Sequence, residues 1–263
     1  TKASSKHKWI LAMSAAVAGA LTSSVSFSQN EKEDQHNTKH LVATAPFLPF
    51  LMKKTKQAPC PGPVFNPNSD ESRNFFHMSY LKEGLSVVVV GASGDLAKRK
   101  TFPALFELYS NGFLPEHACL MGFARSAKTD EEFREMLRPF LEKASTSPQM
   151  KAKIDKFLSK CFYKRGQYGS EKHVGELATH LEKVEEEMGF EKANRVFYFA
   201  IPPSVFVPQA AAIKAKGISS SGWTRLIIEK PFGNDLDSAQ KMAKDLNSHF
   251  EEKDIYRIDQ YLG

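Results

Sequence analysis

Cysteine is scarce: three in 263 residues, Cys60, Cys119 and Cys161. None forms a C-x-x-C pair, and none has histidine at zinc-ligand spacing, which argues against a disulfide framework and leaves a reduced compartment as the default. Cys119 sits in an apolar, strand-like run and is expected in the core. No apolar stretch is long enough to cross a bilayer. The run Trp9–Leu21 has 13 residues, short of the ~20 a spanning helix needs. There is also no broad basic surface. Of the net +6, residues 1–60 carry +5, from eight lysines against Glu31, Glu33 and Asp34. The other 203 residues carry only +1. That distribution argues against nucleic acid as a partner. No internal repeat is present.

The chain has no methionine at its start, and its last residues break off in mid-pattern, so it reads as a fragment. Lys2, Lys6 and Lys8 precede the apolar run, and small residues come after it, the layout of a secretory signal peptide. With the basic, hydroxyl-containing stretch behind it, the segment reads as an address for a plastid or the secretory route. A plain extension on a cytoplasmic protein is the alternative. Pro46, Pro49, Pro59, Pro61, Pro63 and Pro67 break up any regular structure between there and the folded part. Residues 1–80 are therefore expected to be an irregular targeting extension, and 81–263 the folded domain.

From Leu85 the pattern alternates. Strands are expected at Leu85–Val90, Ala118–Phe123, Cys161–Lys164, Arg195–Ile201, Thr224–Glu229 and Ile255–Ile258. Helices are expected at Leu96–Asn111, from Thr129 to Lys143, Met150–Ser159, Glu171–Met188, Pro203–Lys216 and Leu236–Phe250. Thr129 with Glu132 forms a capping-box pattern. The glutamates and lysines of Glu171–Met188 read as a solvated face. Alternation of this kind implies an α/β fold, a Rossmann-like doubly wound and mostly parallel sheet.

Ligands of such sheets bind beyond the carboxyl ends of the strands. After the first strand comes Gly91-Ala92-Ser93-Gly94-Asp95-Leu96, a G-x-x-G-D-L turn. Gly91 permits a sharp bend, Gly94 permits close approach by a ligand, and the next helix points its amides at an anion. After the second strand come Arg125 and Ser126. An acidic residue there suits the ribose hydroxyls of NAD, whereas an arginine suits the 2′-phosphate of NADP. After the fourth come Pro202 and Pro203, and after the fifth Lys230-Pro231. The lysine ends an apolar strand and is aimed either at solvent or at an anion in the cleft. After the last strand come Asp259, Gln260 and Tyr261.

GASGDLAKRK, GFARS, RVFYFAIPPSVF, GWTRLIIEKPFG and IYRIDQYLG, in this order, resemble the N-terminal half of glucose-6-phosphate dehydrogenases. The resemblance runs from about Leu85 to Gly263. It implies oxidation of glucose 6-phosphate to the 6-phosphogluconolactone with hydride transfer to NADP, the first step of the oxidative pentose phosphate route. In the full-length protein it implies a further β+α domain that forms the dimer or tetramer. By resemblance, Gly91, Ala92, Ser93, Gly94, Asp95, Leu96, Ala97 and Lys98 line the pyrophosphate and adenosine side, and Arg125 with Ser126 holds the 2′-phosphate. Pro202 and Pro203 shape the nicotinamide end. Phe206 stands near the coenzyme where the family often has tyrosine. Lys230 reaches coenzyme and sugar, and Gln260 and Tyr261 reach the sugar phosphate. Gln260 replaces a family histidine, and an amide cannot become cationic, so weaker substrate binding is expected. Asp259 corresponds to the aspartate that orients a catalytic histidine, and none of the eight histidines matches that base. The residues present would then bind coenzyme without turnover. The alternative reading is a non-catalytic NADP-binding homologue acting as a regulatory subunit.

Overall fold

The computed structural model describes residues 83–115, 117–145, 147–230 and 235–258. Among the described residues, six strands form one all-parallel sheet: β1 (Gly84–Val90), β2 (Ala118–Ala124), β3 (Cys161–Arg165), β4 (Ala193–Phe199), β5 (Thr224–Glu229) and β6 (Ile255–Ile258). Their spatial order is β3-β2-β1-β4-β5-β6. The expected Rossmann-like α/β class is what forms, with every described pairing parallel. The expected signal-like segment and proline-rich stretch lie outside the described residues.

All seven residues of β1 are buried, because a central parallel strand is covered on both faces. Successive side chains point to opposite faces, so its valines serve two cores. Val87 and Val89 pack under α1 (Phe102–Ser110) and α2 (Asp130–Ala144). Val88 and Val90 pack under α5 (Glu171–Glu187), α6 (Phe206–Lys216) and α7 (Leu236–Asn247). Each buried valine contributes about 1.5–3 kcal/mol. Between α2 and β3 lie two short helices, α3 (Pro148–Lys151) and α4 (Ile154–Leu158), where one continuous helix was expected. The capping box opens α2 as expected. The Glu132 amide donates to Thr129 Oγ1 at 3.2 Å, and the Thr129 amide to Glu132 Oε2 at 2.9 Å.

Two departures have physical causes. The helix after β1 carries a wide turn, Ala97–Thr101, where an unbroken α-helix was expected. Pro103 has no N–H and crowds the carbonyl four residues back. The ladder widens there, and the Phe102 amide donates to the Ala97 carbonyl, five residues back. The second departure is Glu185, assigned to a solvated face but 4 % exposed. It faces Arg195 of β4, itself 1 % exposed, through paired bonds of 3.0 and 2.7 Å. Ser86 of β1 donates to the same carboxylate at 2.7 Å, and Arg195 Nη1 reaches the Gly217 carbonyl at 3.2 Å. The 3.6-residue period places Glu185 on the inner stripe with Leu177, Leu181 and Val184, and only a buried cation on the neighbouring strand makes a carboxylate tenable there.

Candidate functional site

The first three strands run outward from β1 in one direction, and β4 starts on its other side. The carboxyl ends of β1 and β4 therefore flank the crevice where such sheets bind ligands. Gly91 lies at that point with φ +93°. Its amide donates to the Phe123 carbonyl at 2.8 Å, while the Ala200 amide donates to Val90 at 2.8 Å. A Cβ on Gly91 would stand 2.2 Å from the Ala200 carbonyl oxygen, so no other residue fits. Among the described residues, a Cβ at Gly94 would meet only the Gly91 oxygen, at 3.1 Å, and none of them covers the outer side of the turn. No side chain caps the turn that begins at Leu96. The open flank and the first-turn amides suit a diphosphate.

Around this turn, Ala92 and Ala97 are core residues, so only their backbone can face a ligand. Ser93, Leu96 and Lys98 are half-buried, and Gly94 and Asp95 are exposed. Lys98 Nζ lies 3.1 Å from the Asp95 carboxylate and Arg99 3.8 Å from it. Lys98 first, then Arg99, holds the Asp95 carboxyl below its usual range.

At the end of β2, Arg125 and Ser126 are exposed. The Arg125 guanidinium lies 5.4 Å from the Tyr168 ring centre, a cation–π contact that orients it. Tyr163 of β3 donates its hydroxyl to the Ser126 carbonyl at 2.7 Å and lies 3.1 Å from Ser126 Oγ. Burial pushes the Tyr163 phenol up, opposed by the hydroxyls of Ser126 and Ser93. The same phenol therefore sits between the glycine turn and the Arg125 loop. Beside Arg125 opens a cleft of about 470 Å³, lined by Lys164, Arg165, Gln167, His173 and Glu176.

On the other side of the crevice Pro202 is exposed and Pro203 half-buried. Phe206 departs from its expected role. It is 1 % exposed and packs on Phe199 with ring centres 5.7 Å apart, so its ring faces the core rather than the crevice. Lys230 is exposed at the end of β5, its amide donating to the Ile258 carbonyl at 3.3 Å. The preceding Glu229 points inward, 6 % exposed, hydrogen-bonded to the Tyr198 hydroxyl. Burial pushes its carboxyl up to about 7, with Lys100 working the other way. Asp259, Gln260, Tyr261 and Pro231 lie outside the described residues.

Sequence reasoning missed Tyr163, Tyr168, Glu229 and the basic end of β3. The rule applied to the other strands would have flagged Lys164 and Arg165, the last two residues of β3, as it flagged Arg125 just after β2. The tyrosines carry no local signal, since their partners are 37 and 43 positions away. No group of three His, Cys, Asp or Glu residues suited to a metal ion occurs among the described residues. Cys119 and Cys161 are buried free thiols, pushed up by burial, as was expected of Cys119.

The family model for the glucose-6-phosphate dehydrogenase NAD binding domain matches residues 88–263. The chain belongs to the glucose-6-phosphate dehydrogenase family. It is 46 % identical over 180 residues to chloroplastic glucose-6-phosphate 1-dehydrogenase 3 of Arabidopsis thaliana, covering 68 % of this chain and 30 % of that protein. It is 45 % identical over 183 residues to glucose-6-phosphate 1-dehydrogenase of Schizosaccharomyces pombe, covering 70 % and 36 %. Among solved structures, a glucose-6-phosphate dehydrogenase in complex with glucose 6-phosphate superposes with a TM-score of 0.62 at 40 % identity, covering 67 % of this chain and 36 % of that one. The chain thus spans about a third of the length of these relatives, the NAD(P)-binding part of the glucose-6-phosphate dehydrogenase family. No helix among the described residues is long and apolar enough to cross a membrane.

Proposed function

We propose that this chain is the NADP-binding part of a glucose-6-phosphate dehydrogenase, with residues 81–263 as its coenzyme domain and 1–80 as an extension. The whole protein would oxidise glucose 6-phosphate to 6-phosphoglucono-1,5-lactone. The observation that carries the NADP assignment is Arg125, exposed at the end of β2 and oriented by Tyr168. A guanidinium there can take a phosphomonoester through paired hydrogen bonds, which a ribose hydroxyl cannot offer.

The glycine turn, Gly91 to Lys98, would hold the diphosphate, and Arg125 with Ser126 the 2′-phosphate. Pro202 and Pro203 would border the nicotinamide, which when bound accepts a hydride. Lys230, exposed just beyond β5, would serve both coenzyme and sugar phosphate. Tyr261 and Gln260 would contact the sugar phosphate, and Asp259 would orient the base that takes the C1 hydroxyl proton. Phe206 is left with a packing role.

The test is titration of the chain with NADP and NAD. NADP should bind at least about tenfold more tightly, and Arg125→Ala should remove most of that preference, since a charge-assisted hydrogen bond is worth about 1.5–3 kcal/mol. Equal affinity for the two coenzymes would sink the reading.

A further inference from the structure

Resting on the coenzyme reading above, the geometry points to Arg165, seconded by Lys164, as a further specificity determinant that grips the coenzyme's 2′-phosphate beside Arg125. The two strands end level. Ala124 pairs with Arg165, and the Gly166 amide donates to the Ala124 carbonyl at 2.9 Å. Arg165 is therefore level with Ala124, one residue before Arg125, and reaches the Arg125 loop through its side chain. Arg165 Nε donates to the Arg125 carbonyl at 3.2 Å. That bond fixes the direction of the Arg165 fork and leaves both terminal nitrogens, with four N–H donors, for a ligand. Lys164, Arg165 and Arg125 line the same cleft of about 470 Å³.

The charge there is uncompensated. Among the described residues none of the three cations has a carboxylate within ion-pair distance, although every described arginine other than Arg125 and Arg165 does. Glu176 is the single acid among the described residues that line the cleft. Three cations facing one acid repel one another, and a dianion relieves that repulsion. A phosphomonoester carries about −1.5 to −2 at pH 7, more than either phosphorus of a dinucleotide bridge. The 2′-phosphate is the only such group on the coenzyme. Arg165 would bind it through its fork and Lys164 as a point charge. Discrimination between NADP and NAD is thus divided between two strand ends, and Arg125 alone does not account for it.

The test is calorimetric titration of the 263-residue chain and its Arg165→Gln, Arg165→Lys and Lys164→Gln variants with NADP, NAD, 2′,5′-ADP, 5′-AMP and inorganic phosphate. Arg165→Gln should weaken NADP and 2′,5′-ADP about tenfold or more, while NAD and 5′-AMP change less than about twofold. Lys164→Gln should lose a few-fold, and Arg165→Lys should keep part of the binding. Both side chains reach solvent, and far-UV melting checks each fold. Equal losses for NADP and NAD, or no loss, would overturn the assignment. So would phosphate alone competing as strongly as 2′,5′-ADP, which marks a free-anion site. A wild-type chain that does not prefer NADP to NAD refutes the coenzyme reading and this inference together. A preference that Arg165→Gln leaves undiminished refutes only this inference.

Discussion

Glu229 gives the most direct link between the fold and a measurement. It closes β5 one residue before Lys230, 6 % exposed, with Tyr198 as hydrogen-bond partner. Burial raises its carboxyl from 4.5 to about 7. Between those values the folded chain holds a proton that the unfolded chain has released. Stability from this group is therefore complete below about pH 4.5 and is lost as pH rises towards and through 7. At about 1.4 kcal/mol per pH unit, the loss is on the order of 3 kcal/mol. Glu229→Gln keeps an acceptor for the Tyr198 hydroxyl and cannot ionise. The two chains should be nearly equal in stability at pH 4.5, and the variant should be more stable by about 3 kcal/mol at pH 8. Urea unfolding monitored by far-UV circular dichroism at half-unit steps from pH 4.5 to 8 measures the difference, and global pH effects cancel in it. A difference that stays flat across this range, or a variant less stable at pH 8, would refute burial as the cause. Because Lys100 pulls the other way, Lys100→Met should move the wild-type transition to higher pH.

Other substitutions separate packing from binding. Glu185→Ala leaves the Arg195 guanidinium buried without its carboxylate and should cost about 3–5 kcal/mol, seen as a fall in Tm of roughly 10 °C. Glu185→Leu combined with Arg195→Met should recover much of that loss, and a double variant no better than Glu185→Ala would contradict the account. Gly91→Ala should abolish coenzyme binding and lower Tm, because its Cβ would overlap the Ala200 carbonyl; a well-folded variant with unchanged affinity would show that the turn is not tight. In the whole protein, Gln260→His should lower KM for glucose 6-phosphate, most strongly below about pH 6.5 where histidine is cationic, and an unchanged KM would count against a sugar-phosphate role for that position.

The sheet was legible because its signal is local. β1, β2, β4 and β5 are apolar runs ended by glycine, proline or charge, and such runs form buried parallel strands wherever helices cover both faces. The glycine turn was legible for the same reason, since its conformational demand falls on Gly91 itself. Arg125 could be singled out because the end of a strand is a place that sequence order defines.

Other features depended on partners far along the chain. Glu185 reads as one more charge on a helix until β4 brings Arg195 against it, and Phe206 reads as a cleft residue until Phe199 is seen beneath it. Tyr163 and Tyr168 acquire their roles only when β3 pairs with β2. The amino-acid sequence by itself determined the order of strands and helices, the glycine turn and the basic residue after β2, because each rests on backbone preference or hydrophobic period within a few residues. The tertiary structure alone decided which charges are buried, that Glu229 holds its proton to near pH 7, and that Arg125, Lys164 and Arg165 share one cleft. Burial and electrostatics depend on distances between side chains that the chain's own order does not set.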